Sequence, residues 1–437
     1  MLNGKLDFLE KVNSDKVVVG YDLGNRYSQI SYCFCNSTVP ETISQIAGSE
    51  QYNIPTVLCK RKGVNQWFYG KEALKYAEEN EGTLIDNLLG LAKDGEKILI
   101  EGQEFEPLAL LTLFIRRSLA LLAPIGSLDK IAGLMFTCDD LEQDMVSVLS
   151  KVTMSLGLKT KNICFQSHVE SVYYYNLYQP QELWNHQVLL YEYREDGMKS
   201  YRMECNKRTT PIVAFIDTEN HMFRSPLAIP MEDYLRVDAY RDMDSKFLDI
   251  VTMDCQDRLI SAVYLLGEGF GGDWMQESLK YLCRNRRVFQ GNNLFSKGAC
   301  YGMLEKQFAS ENGKSHVFLG NEKLKANIGM KVLRRGEDSY FAILDAGTNW
   351  FEAQNEVDFL LESGTSFQVI VTPLNGKTVR AVEISLEGLP NRPAGTTRLR
   401  LWADMIGENK VQIRVEDLGF GEIYPATHQK WKEILEI

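Results

Sequence analysis

Apolar and polar positions along this chain follow two rhythms, one of period two and one of period 3.6. The run KVVVGYDLG gives way at a tight turn to YSQISYCFC; both are rich in β-branched and aromatic residues and are punctuated by Gly20 and Gly24, which predicts a hairpin over residues 16–35. Helical spacing returns over residues 70–79 and 106–122. The strand IAGLMFTC (131–138) runs into DLEQDMVSVLSKVTMSLG, a helix whose predicted stop is Gly157, and NICFQ follows as the closing strand of a βαβ unit. HQVLLYEY (186–193) with KSYRMEC (199–205) repeats the opening hairpin pattern, and a polar helix around 231–257, a strand AVYLLG and a helix DWMQESLKYLC come next.

Beyond about residue 325 the pattern becomes alternating strands. FQVIVTPLNGKTV holds an Asn375-Gly376 turn, and TTRLRLWAD pairs with KVQIRVED so that Leu399, Leu401 and Ala403 face Val411, Ile413 and Val415. A β-sandwich or small barrel is expected here, preceded by a connector within SHVFLGNEK and followed by a short helix ending at Ile437. Trp402 points away from Leu401, as a binding aromatic or as a contact with the first domain. The most apolar stretch, residues 107–126, carries Arg116 and Arg117 at its middle, where each would cost about 2.5 to 3.5 kcal/mol in a bilayer, so a buried helix and no membrane partner are expected. The opening MLNGKLDFLEKVNSDK is charged throughout and lacks a signal-peptide core.

Composition narrows the function classes. The 437 residues, 44% apolar and 24% charged, suit two or three globular domains. A formal charge of −11 offers no field for collecting a phosphate backbone, so nucleic acid is not an expected partner. Nine scattered cysteines without a CxxC pair predict a reducing, cytoplasmic setting, and five histidines without HExxH predict no structural zinc. Tyr173, Tyr174, Tyr175 and Tyr178 fall on a predicted helix and read as core packing.

Five segments in order carry a family likeness. They are YDLGNRYSQI (21–30), IPTVLCKRKGVNQWFYGKEALKYA (54–77), the stretch from LDKIAGLMFTC to QSHVES (128–171), AVYLLGEGFGGDWMQESLKYL (262–282) with NLFSKGACYG, and VEISLEGLPNRPAGTTRLRLWADMIGENKVQIRVED (382–417). Together they resemble the seventy-kilodalton heat-shock chaperones. The resemblance implies an α/β actin-like domain, duplicated and ribonuclease-H-like, over residues 1–314. It implies a linker over 315–325, an all-β sandwich of the substrate-binding type over 326–425, and a C-terminal helix over 426–437. It also implies Mg-bound ATP or ADP as the ligand.

The phosphate loops depart from the family pattern. Asp22 and Gly24 keep the frame of the first loop, while Asn25 and Arg26 stand where the family has threonines. In the second loop the family's aspartate is Glu192, and Tyr193, Arg194, Glu195 and Asp196 replace a glycine run, setting negative charge against a triphosphate. TLIDNLLG (83–90), in the place of the family's lysine-bearing helix, has no lysine until Lys93, and His168 falls on a family glutamate, with Glu170 nearby. Gly267, Gly269 and Gly271 stand in the adenosine loop, Gly271 near the place of the family's adenine-side arginine. Gly267, Gly269 and Gly272 also fit G-x-G-x-x-G, but Gln290 replaces the acidic residue a dinucleotide site needs. Nucleotide held without turnover and a purely structural glycine turn both stay open.

The expectation is a chaperone-like protein-binding or scaffold protein with a pseudo-ATPase domain, binding a protein or peptide partner. The absence of a helical lid beyond the β-domain implies quick release of any bound peptide. The alternatives are a slow ATP-dependent chaperone that binds exposed peptide segments, using Asp22, Glu192 and Glu170, and a filament-forming actin relative.

Overall fold

A computed structural model describes residues 16–46, 48–230, 232–374 and 378–437. The Asn375-Gly376 turn and nearly all of the opening charged segment lie outside the described residues. The chain divides into two compact units, Met1–Phe318 and Leu319–Ile437.

The first unit repeats one motif twice. Val17–Leu23 (β1) and Tyr27–Phe34 (β2) form the expected hairpin, and Glu41–Thr42 (β3) adds to its outer edge. An inserted region follows, containing the helices Gly70–Glu78 (α1) and Leu88–Asp94 (α2) and short strands that include Leu58–Arg61, Trp67–Tyr69 and Gly82–Ile85. Pro107–Leu119 (α3) starts with proline at a position whose N–H needs no partner, and buries Leu110, Leu111, Phe114 and Ile115. Ile131–Cys138 (β4) then pairs parallel with β1, and Gln143–Leu156 (α4) crosses over to Ile163–Ser167 (β5), parallel to β4. Gly157, left-handed at φ 69°, ends α4 as expected. His168–Leu177 (α5) completes the half.

The second half runs through the same series. Gln187–Arg194 (β6), Gly197–Asn206 (β7) and Ile212–His221 (β8) form an antiparallel meander. Asp233–Cys255 (α6) leads to Ile260–Leu266 (β9), parallel to β6; Glu277–Leu282 (α7) leads to Arg287–Gly291 (β10), parallel to β9; and Leu294–Gln307 (α8) follows. Over five strands the sheet orders, β5-β4-β1-β2-β3 and β10-β9-β6-β7-β8, are the same; the sixth differs, Ile54–Pro55 pairing with β2 in the first sheet. Even the register slip recurs, between Val17 and Val18 in one half and between Gln187 and Val188 in the other.

The second sheet is buried on both faces, so its central strand runs apolar without alternation from Val188 to Tyr191. Val188 and Leu190 pack towards α5 and α8 with Tyr173, Tyr201 and Phe295, while Leu189 and Tyr191 pack towards α6 with Met243, Phe247 and Val251. Tyr174, Tyr175 and Tyr178 pack against two of the cores as partly buried members. The helix expected over 273–283 is shorter, because Trp274 turns inward and is 2% exposed, and α7 begins only at Glu277. The connector expected from residue 315 opens with a strand, His316–Phe318 (β11), which extends the second sheet beside β8.

The second unit holds two four-stranded antiparallel sheets. One orders Glu337–Leu344 (β13), Ala326–Arg334 (β12), Ser366–Pro373 (β15) and Arg380–Ser385 (β16). The other orders Gln354–Leu361 (β14), Thr397–Gly407 (β17), Lys410–Gly419 (β18) and Lys430–Glu436 (β19). Leu401 faces Val415 and Ala403 faces Ile413 across β17 and β18, all buried. Trp402, on the outer face, is half-buried and donates its indole N–H to Glu356 at 2.9 Å.

The C-terminal helix expected over 426–437 is instead an edge strand. KWKEILE is compatible with a helix by composition, but β18 presents a full row of backbone partners, and pairing from Lys410–Glu436 to Glu416–Lys430 satisfies them. Among the described residues no helix is long and apolar enough to cross a membrane.

Candidate functional site

The two hairpin tips, the end of β4, the N-terminus of α5 and the loop after β9 line one cleft of about 610 Å³ in the first unit. Asp22, Gly24, Asn25, Arg26, Gly267 and Gly269 all line it; Gly271 does not. Lys93 reaches the cleft from α2, and Glu192, His168, Asp139 and Phe295 complete its floor.

Local structure fixes each group. In the first tip the Gly24 N–H donates to the Tyr27 carbonyl at 3.1 Å, holding Asn25 and Arg26 at the bend. The second is a two-residue turn, Glu195-Asp196, closed by the pairing of Arg194 with Gly197. Asp22 and Glu192 occupy matching places, each on the first strand of its hairpin and each flanked by a parallel strand, at Thr137 and at Leu266. Ser167 caps α5 by accepting the Glu170 N–H at 3.2 Å, which sets His168 as the first helical residue, facing the cleft.

These groups neutralise one another. His168 Nε2–H donates to Asp22 Oδ1 at 2.7 Å, and the imidazole stacks on Phe295 with ring centres 3.9 Å apart. Arg194 donates to Asp139 Oδ2 at 2.6 Å and lies 3.0 Å from Glu192 Oε2, and Lys199 donates to Asp139 Oδ1 at 2.7 Å. Tyr201 donates its hydroxyl to Glu192 Oε2 at 2.8 Å, and Arg26 meets Glu195 from the opposite tip. Asp139, from the first half, is thus tied to two cations of the second, and the tips are tied to each other.

The ionisation of these groups follows. Burial disfavours the charged imidazole of His168, but Asp22, Glu192 and Asp139 outweigh it and lift its pKa above 6.5. Burial raises Asp139, yet hydrogen bonds and charge from Arg194, with help from His168 and Lys199, hold it well below the usual carboxylate range. Tyr201, buried beside Glu192, is pushed far up and stays a neutral donor.

The glycines of the loop after β9 answer to the protein itself. A Cβ on Gly267, where φ is 102°, would lie 2.6 Å from the Tyr193 carbonyl oxygen, and one on Gly269 would strike the Tyr193 ring at 2.3 Å. Tyr193 is buried and donates its hydroxyl to the Arg224 carbonyl at 2.7 Å. Gln290 donates to the Phe270 carbonyl at 3.0 Å, bracing the same loop.

A magnesium triphosphate does not fit this set. The cleft's arginines are engaged by its own carboxylates, and the second tip presents Glu195 and Asp196 to the cleft, where they would repel a polyanion. Among the described residues no cluster of three acidic, histidine or cysteine side chains is arranged to hold a metal. Sequence reasoning reached Asp22, Arg26, Glu192 and His168 but missed Asp139 and Lys199. The adjacent Asp139-Asp140 pair just past an apolar strand was the available signal for the first.

The C-terminal part of a family of unknown function (DUF5716) matches residues 39–321, and a domain of unknown function (DUF8552) matches residues 323–437. No curated protein matches the chain.

Proposed function

The chain belongs to the DUF5716 family, and we propose that its first unit is a degenerate actin-like domain, a pseudo-ATPase that serves with a sandwich-type second unit as a chaperone-like, protein-binding scaffold. The likeness to the heat-shock chaperones rests on the five sequence segments and gains support from the repeated strand order of the two sheets. In an actin-like arrangement the nucleotide phosphates would lie between the two hairpin tips. One observation carries the reading: ion pairs occupy that place, Asp22 with His168, Asp139 with Arg194 and Lys199, and Arg26 with Glu195. Charge stabilisation of phosphoryl transfer needs cations aimed at phosphate oxygens, and here they are aimed at carboxylates. On this reading the protein is cytoplasmic, with nine unbridged cysteines, and its partner is a protein or peptide.

The test is turnover and thermal unfolding with millimolar Mg-ATP and Mg-ADP. A nucleotide present at about 100 times its Kd would stabilise the fold by roughly 2.7 kcal/mol. The expected outcome is no shift and no hydrolysis above background. Steady hydrolysis abolished by Asp22→Asn would instead establish an active ATPase and sink the proposal.

A further inference from the structure

The cleft, read above as closed to nucleotide, still has charge and hydrogen-bonding capacity to spare. Seven acidic side chains line it against three of arginine or lysine and one histidine. Arg26 and Arg194 are already paired, leaving Lys93 as the one lining arginine or lysine without an ion pair among the described residues. Asp140 and Asp196 line the cleft, are exposed, and make no ion pair among the described residues. The field inside is therefore negative.

A second observation is independent of charge. Gln29 lies directly across the hairpin from Asp22, lines the cleft and is 6% exposed. Its amide orientation is settled by its neighbours, since Nε2 donates to Asn53 Oδ1 at 2.5 Å and to the Asn292 carbonyl at 2.7 Å. That leaves Gln29 Oε1 buried with no donor. Asn53 in turn donates to Glu268 Oε1 at 2.8 Å, so one amide links Gln29 and Glu268, both of which line the cleft. An acceptor buried without a donor is costly, and a ligand bringing N–H groups would satisfy it.

We propose that the cleft binds an organic cation, an alkylammonium or guanidinium group, whose N–H donors meet Gln29 Oε1 and the Glu268 carboxylate while Asp140 and Asp196 supply the attracting field. The inference rests on the pseudo-ATPase reading, because a cleft that held a triphosphate would reject such a group. A free polyamine and a basic side chain of a partner protein share this chemistry.

The experiment is thermal unfolding and titration calorimetry of the full chain at low salt, about 50 mM, where surface screening is weak. The probes are spermidine, N-acetyl-arginine amide, magnesium chloride and Mg-ADP. Saturable binding of either organic cation is expected, weakened at least tenfold by Glu268→Gln and by Asp196→Asn, both at exposed positions whose change leaves the core intact. Spermidine binding alone assigns a free polyamine, and arginine-amide binding assigns a partner's side chain. The inference is overturned by no saturable binding of either probe, by binding that both variants leave unchanged, or by an equal response to magnesium alone. A response to Mg-ADP would overturn the inference, because the cleft would then accept phosphate, while the pseudo-ATPase reading falls only to Asp22-dependent hydrolysis, so the two failures are distinguishable.

Discussion

Three carboxylates facing His168 favour its charged form, and this makes the cleft sensitive to alkali as well as to acid. Its pKa in the folded chain lies above the ordinary 6.5, so the stability it lends is complete below that value and fades as pH rises through the elevated one. Asp139 has the opposite sense: its folded pKa is depressed, so its contribution is present above the ordinary 3.8 and is lost on acidification. His168→Gln should therefore destabilise the protein most below about pH 6.5, with the gap from the parent closing as pH rises through the elevated value. Urea midpoints at several pH values would measure it; a gap that never narrows on the alkaline side would mean the imidazole is not the titrating group. At the same scale Gly20 shows why one glycine is required, since a Cβ there would lie 2.1 Å from the Ser296 carbonyl oxygen, and α8 could not rest on β1.

Between elements, the clearest anchor is in the second unit. Asp417, fully buried at the end of β18, accepts two bonds from Arg392, at 2.7 and 2.8 Å, and others from the Gly419 and Thr427 N–H groups and the Thr427 hydroxyl. This clamp sets the bend from which β19 returns. Removing one partner of a buried ion pair typically costs about 3 to 5 kcal/mol, so Asp417→Ala should destabilise this unit by about 3 kcal/mol, read as a lower urea midpoint. A loss under 1 kcal/mol would mean that strand pairing alone holds β19. Elements were legible in the sequence where pattern is local: the β1–β2 hairpin, the β4–α4–β5 crossover, and the inward faces of β17 and β18. β19 was not, because nothing within KWKEILE distinguishes a helix from an edge strand, and the partner that decides lies across a loop. The cleft divided in the same way. Asp22 and Arg26 stood out at a recognisable turn, whereas Asp139, Lys199 and Gln29 acquire their roles only when strands far apart in sequence come together.

At the scale of the whole molecule, each unit encloses its own buried residues, and the division at Phe318 falls just after β11. Residues 319–437 expressed alone should fold, giving a dispersed amide spectrum and a cooperative thermal transition. A collapsed, poorly dispersed spectrum would mean that the second unit depends on the first. The repetition inside the first unit has a further use. Asp22 and Glu192 stand at matching places in two copies of one motif, differing by a single methylene, so each half is an internal control for the other. Exchanging them, Asp22→Glu in one variant and Glu192→Asp in another, would separate what carboxylate reach contributes from what surroundings contribute.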